Sequence, residues 1–251
     1  MRRLWAIVAL VAACFLIALP LSNKRQVDRP IASYSTPLDG RIDNQRHNAV
    51  LCMQEIDGVV IEPGETFSFN ETIGGWTRDK GYRRAPVSFG GILIDSWGGG
   101  VCQTSTTLYN AALLAGLEIV ERHRHHYAPT YVQPGRDAAV AYPNIDLKFR
   151  NPYDFKITIA SRLTSAGVVI EILAPQDLEQ RAQIEQRVLR VVQPQEFVLG
   201  SGRFGRVRNP GHAGYEVETY RVIDGVRELI SVDSYPVMNK VIEYSSPARG
   251  S

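Results

Sequence analysis

Cysteine is scarce in this chain: three in 251 residues, too few for a small scaffold stapled by disulfides. A formal net charge of +2 with no block of like charge removes the electrostatic case for a nucleic-acid partner. The few cysteines and histidines show no CxxC or HExxH spacing, so the usual zinc patterns are missing, and nothing in the chain requires a cofactor. No internal repeat of fixed period is visible. With 44% hydrophobic and 22% charged residues, the remainder has ordinary globular composition and fits one medium domain or two small ones.

What the chain does have begins at its start. Arg2 and Arg3 precede an uncharged apolar run of eighteen residues, Leu4 to Leu21, and Lys24 and Arg25 follow it. That length is at the low end for a bilayer span and long for a signal-peptide core. The flanks and the lack of a good small-x-small cleavage site favour a retained signal anchor over residues 1–22, with a cleaved signal peptide as the alternative. "VAAC" at Val11–Cys14 has the look of a lipobox, but seven more apolar residues follow its cysteine. Anchor or signal, the rest of the chain is sent out of the cytoplasm, membrane-anchored or secreted, where Cys52 and Cys102 face oxidising conditions.

Residues 23–40 read as a linker, polar and carrying two prolines. In "NQRHNAVLCMQEIDG" the apolar residues fall at helical spacing, and Cys52 sits on or near their face as a small buried hydrophobe. Short strands are predicted around Val59–Ile61, Phe67 and "GILI". A helix that is apolar on nearly every side follows Gly100, which marks it as central and buried, and Gly116 suits its end. "LKFRN", "FKITIAS" and "GVVIEIL" have strand length and pattern. "APQDLEQRAQIEQRVLRVVQP" is helix-compatible in its first half, or an exposed link. Asp224-Gly225 between two strand-like runs signals a hairpin. The predicted fold class is α+β: an N-terminal anchor helix, a central buried helix packed on an antiparallel sheet within a core of residues 41–175, and a β-rich extension over 176–251.

The stretch "GGGVCQTSTTLYNAALLAGL" (98–117) carries the chemistry. A helix start favours a thiolate over a thiol, and the glycines before Cys102 let a substrate or another backbone come close. The hydroxyls and N–H groups of the first turn, with Gln103, are candidate donors to an oxyanion. His123, His125 and His126 follow, then Asp137, twelve residues after His125. Cysteine on a helix start, then histidine, then an acid is the order of Cys-His-Asp acyl transfer: the acid orients the imidazole, the imidazole takes the thiol proton, and the thiolate attacks a carbonyl.

"PGETFSFN" at 63–70, "GY" at 81–82, "GGGVCQTSTTLYNAALLAGLEIVERHRHH" at 98–126, "YVQPGRDAAV" at 131–140 and "DLKFRNPY" at 146–153 together resemble the VanW-like family (vancomycin B-type resistance protein W and relatives). The resemblance implies a bacterial envelope protein, often membrane-anchored and found near cell-wall functions. A typical member has His-Ser where this chain has His125-His126, which weights His125. The C-terminal stretch loosely resembles the small β-module that accompanies many members. The Gly-x-Cys helix followed by histidine and aspartate is also similar, as a fragment, to transglutaminase-like proteases.

Each sharp reading stands beside a bland one. Cys102 is a nucleophile, a disulfide partner of Cys52, an inert buried thiol or part of a zinc site with the histidines. His125 is a base or a hydrogen-bonded structural histidine, Asp137 an orienting acid or a turn residue, and Gln103 an oxyanion donor or a helix cap. Trp76, Tyr82, Trp97 and Tyr109 line a sugar- or peptide-binding groove or fill the core. Two functions follow: a Cys-His-Asp hydrolase or acyl-transferase acting on amide bonds of envelope peptides, or a non-catalytic module that binds peptidoglycan or a wall-synthesis protein. The membrane, through the N-terminal helix, is the other expected partner.

Overall fold

The computed structural model describes residues 28–89, 92–202 and 204–245. The expected anchor over 1–22 lies outside them; among the described residues no helix is long and apolar enough to cross a membrane.

Strand, not helix, dominates. The fold-class expectation of α+β is overturned: 45% of the described residues are strand and 16% helix, in several small, mainly antiparallel sheets. The linker expectation hid part of this difference. Within the stretch read as a tether, Arg29–Thr36 forms β1 and pairs with β9 (Gly167–Ala174), which pairs in turn with β8 (Ile157–Thr164), and β8 with β2 (Val60–Ile61). In β9 the residues from Gly167 to Ile170 are all buried, so this strand has neighbours on both faces. A long-range partner of that kind gives β1 its conformation, which local patterning does not encode. The stretch after Pro175 takes the second of its two readings, an exposed link, and enters β10 (Gln183–Val192), which is largely exposed and pairs with β13 (Gly214–Ile223).

Among the described residues three helices complete the body. α1 (Asp43–Ile56) turns Ala49, Cys52, Met53 and Ile56 inward, α2 (Phe69–Ile73) is one short turn, and α3 (Val101–Leu114) is buried along nearly its whole length. α3 lies against α1 on one side and against β1 and β9 on the other. Removing its Leu108, Ala111, Ala112 and Leu113 from water supplies the hydrophobic centre of the fold. Gly116, at φ +73°, ends it, with the Leu117 N–H bonded back to the Ala112 carbonyl.

A second sheet, β3 (Thr66–Ser68), β7 (Lys148–Arg150) and β6 (Glu118–Glu121), carries the chain out of α3. The ribbon of β4 (Arg84–Phe89) and β5 (Ile92–Trp97) carries it in. The C-terminal part holds two further sheets. One orders β10, β13 and β14 (Val226–Tyr235); the other orders β11 (Glu196–Leu199), β15 (Lys240–Ser245) and β12 (Phe204–Asn209). β13 and β14 are joined by Asp224-Gly225 alone, Ile223 facing Val226 and both turn residues at positive φ. This is the two-residue hairpin that dipeptide favours.

Candidate active site

The start of α3 is built by its neighbours. Gly100 sits at φ +114°, and a Cβ there would come within 2.2 Å of the Gln45 carbonyl of α1, so only glycine lets the two helices meet this closely. The Val101 N–H bonds the Gly98 carbonyl and the Gln103 N–H bonds the Gly100 carbonyl. The intervening Cys102 N–H has no backbone acceptor among the described residues.

The row of hydroxyls after Cys102 serves a different end from the one its sequence suggests. Ser105 donates to the Ala138 carbonyl at 2.7 Å, and the Ala138 N–H donates to Thr106 at 3.0 Å. One turn on, Asn110 donates to the Arg136 carbonyl and accepts from the Arg136 guanidinium. These bonds fasten residues 136–138 along α3, with Asp137 between the anchor points. On the other side the Ala139 N–H bonds the His123 carbonyl at 2.7 Å, which holds the continuation of β6 antiparallel to the same segment.

Cys102, His125 and Asp137 come together there. His125 Nδ1 lies 2.6 Å from Asp137 Oδ2, and the His125 backbone N–H donates to the same oxygen at 2.7 Å. The Cys102 sulfur lies on the other side of the His125 ring, close enough for each group to shift the other's ionisation; with Nδ1 committed to the carboxylate, Nε2 is the nitrogen left to face it. The Cys102 sulfur is 3.4 Å from the Val140 carbonyl. Cys102 is half-buried, and its thiol is free, as is that of Cys52.

Electrostatics favour the ionised pair. Burial pushes the Cys102 thiol up, but the hydrogen bond and charge of His125 outweigh it and hold the thiol below its ordinary value. Burial opposes the His125 charge, and the hydrogen bonds to Asp137 and Cys102 reverse that, raising His125 to about 10. Burial also pushes the Asp137 carboxyl up, yet His125 and Arg122 keep it below the usual carboxylate range. These directions all favour a thiolate beside an imidazolium, with a carboxylate behind.

The other candidates go elsewhere. The Gln103 amide donates to the Pro37 carbonyl at 2.6 Å and to Thr36, and its oxygen accepts from Arg41; it ties α3 to the end of β1. His123 contacts Glu121, and His126 packs edge-on against Tyr127. Among the described residues no three His, Cys, Asp or Glu side chains gather as a metal site would require. Tyr82 and Tyr109 are core residues, Trp76 packs over Gly98, and Trp97 is half-buried. The aromatic beside the site is Tyr131, whose hydroxyl donates to the Cys102 carbonyl at 3.3 Å while the Arg41 guanidinium covers its ring. An open cavity of about 530 Å³ adjoins it, lined by Tyr34, Thr130, Tyr131, Val132, Gln133 and Arg136.

Sequence reading also missed three residues around Asp137. Arg122 donates to Asp137 Oδ1 at 3.1 Å, Tyr235 donates to the same oxygen at 2.5 Å, and Asp233 holds Arg122 through both carboxylate oxygens at 2.7 Å. A faint signal existed. Asp233 and Tyr235 share one face of a strand by the period of two, and a carboxylate on the face turned inward calls for a partner.

The family model described as "VanW like protein" matches residues 44–173, which include all three residues of the constellation. The chain is 38% identical over 151 residues to the uncharacterized protein YoaR of Bacillus subtilis, covering 60% of this chain and 50% of that protein. It is 28% identical over 197 residues to the vancomycin B-type resistance protein VanW of Enterococcus faecalis, covering 75% of this chain and 66% of that one. The chain thus spans between half and two thirds of these curated relatives. A solved structure titled "Crystal structure of HP0197-G5" aligns over 26% of this chain and 97% of its own, at 16% identity and a TM-score of 0.15. These matches lend no support to the fragment likeness to transglutaminase-like proteases.

Proposed function

For a chain that belongs to the VanW-like family, we propose the activity of a cysteine amide hydrolase or acyl-transferase acting on peptides of the bacterial envelope. One observation carries this reading: a single imidazole is held by Asp137 through Nδ1 at 2.6 Å, and the same ring is the group that draws the Cys102 thiol below its ordinary value.

In the reaction the Cys102 thiolate adds to the carbonyl carbon of an amide. The developing oxyanion is met by the Cys102 N–H at the positive end of α3. The His125 imidazolium gives its proton to the leaving amine as the C–N bond breaks, leaving a thioester on Cys102. Water or an acceptor amine, deprotonated by the now neutral His125, attacks the thioester and releases the thiolate, with acid or new amide as product. Asp137 keeps His125 in the tautomer that both steps need. The cavity beside Tyr131, with its tyrosines and Arg136, receives the peptide flanking the reacting bond. An extracytoplasmic location is supported by the apolar run Leu4–Leu21 and its basic flanks.

The test is incubation of the purified protein with soluble peptidoglycan fragments, read by mass spectrometry. Cleaved or exchanged peptide amides that vanish in Cys102→Ala support the reading. Equal conversion by the Cys102→Ala protein overturns it. Intact sacculus binding by that variant, with no conversion by either protein, marks a binding module instead.

A further inference from the structure

Asp137 is wholly buried, and only one of its two oxygens serves His125. The other, Oδ1, takes hydrogen bonds from Arg122 and from Tyr235 of β14. A carboxylate removed from water needs every acceptor site filled, so Oδ1 is an essential part of its fixation. Tyr235 is separated from Asp137 by 98 residues and belongs to the C-terminal sheet, outside the segment the family model matches.

The contact is not isolated. The Tyr235 hydroxyl also accepts the Gly135 N–H at 3.0 Å, and Thr219 of β13 donates to the Gly135 carbonyl at 3.2 Å. A Cβ on Gly135 would meet Thr219 Oγ1 at 2.5 Å; glycine is what lets the sheet touch the backbone two residues before the acid. Gln186 of β10 donates to the Pro134 carbonyl at 2.5 Å. Three strands of one sheet therefore grip residues 134–137.

Charge is arranged as carefully as position. Arg122 spans the gap between Asp137 and Asp233, with all three side chains at most 7% exposed. Burial disfavours its charge, but the carboxylates of Asp137 and Asp233 outweigh that and keep the guanidinium charged. Paired with two carboxylates, one cation leaves the group with a net negative charge facing His125, the sign that stabilises an imidazolium. Burial and the Asp137 charge hold the Tyr235 phenol protonated, so its hydroxyl is available as a donor.

We infer that the C-terminal β10–β13–β14 sheet is a working part of the catalytic centre, with Tyr235 and the Arg122–Asp233 pair as positioning residues that set Asp137 against His125. The inference rests on the proposed Cys-His-Asp reading but is tested through the thiol rather than through turnover. In the full-length protein, the rate of Cys102 alkylation by iodoacetamide is measured from pH 5 to 10 for the native chain, Tyr235→Phe and Asp233→Asn. Tyr235→Phe keeps the ring and frees Asp137 Oδ1, so the imidazole is held less firmly and the thiolate loses support. Asp233→Asn removes the charge balancing Arg122, so Arg122 bears fully on Asp137 and weakens its hold on the imidazolium. Each variant moves the profile's midpoint upward by about one unit and slows alkylation by about tenfold at pH values below the native midpoint, while the rates converge above pH 9. A sheet that merely packs predicts profiles superimposable on the native one, whatever happens to the melting temperature, and that result overturns the inference. Should Tyr235→Phe not fold, Asp233→Asn decides alone. Unchanged peptide conversion by Cys102→Ala would defeat the proposed function and leave this profile comparison standing.

Discussion

Cys52 and Cys102 lie on two helices that pack together, α1 and α3, and burial pushes both thiols upward. They end in opposite states. Cys52, fully buried in the body of α1, has its thiol raised well above its ordinary value, by burial first and by the negative charge of Glu55 second. Cys102, in the first turn of α3, has the His125 imidazolium, and the thiol is lowered. Burial is therefore not what separates an inert cysteine from a reactive one here. The sign of the neighbouring charge and the access of the sulfur decide.

The largest effect that sharpens this contrast comes from deleting each sulfur. Cys102→Ala is expected to lower peptide-amide conversion by at least about a thousandfold and to abolish native-state iodoacetamide labelling, followed by intact-protein mass spectrometry. Next comes His125→Ala. Without the imidazolium the thiol returns toward the ordinary value near 8.5, so at pH 6.5 only about 1% is ionised and alkylation slows by at least about tenfold. Its rate should then climb about tenfold per pH unit up to that value, whereas the native rate levels off at a lower pH.

The pH dependence of turnover is smaller and has a definite sign. Conversion should fall as pH rises through about 10, where His125 loses the proton it gives to the leaving amine. The same shift bears on stability. A folded value above the ordinary 6.5 favours the protonated native state, so the ion pair's contribution is complete below 6.5 and lost as pH rises through about 10. Melting curves of native and His125→Ala protein should approach one another over that window. The smallest effect is that of Cys52→Ala. A lost buried thiol costs about 1 kcal/mol and a few degrees of melting temperature, with the Cys102 alkylation rate unchanged. Labelling of Cys52 in the folded protein would break the comparison outright.

The legible parts of this molecule are the ones fixed by short stretches. The Asp224-Gly225 hairpin, the strand-like runs of β8 and β9, and the glycine stop after α3 each follow from residues within a few positions of one another. The candidate triad was readable as an order of residue types, though its acid was equally plain as a turn residue. What stayed illegible rests on contacts of long range. β1 is a strand because β9 lies beside it, some 140 positions later. Gln103 has the chemistry of an oxyanion donor, but its amide is spent on Pro37 and Thr36. Ser105 and Thr106 look like site hydroxyls, yet they bind the backbone next to Asp137.

By itself the sequence determined that a cysteine would open a buried helix, with histidines and an acid soon after, because helix starts, glycine turns and alternating strands are written in neighbouring residues. Only the tertiary structure decided which histidine meets the sulfur, that strands would outweigh helices, and that a tyrosine 98 residues past Asp137 would hold it. The reason is physical: a side chain's ionisation and orientation are set by whatever stands within a few ångströms of it, and in this fold those neighbours come from distant parts of the chain.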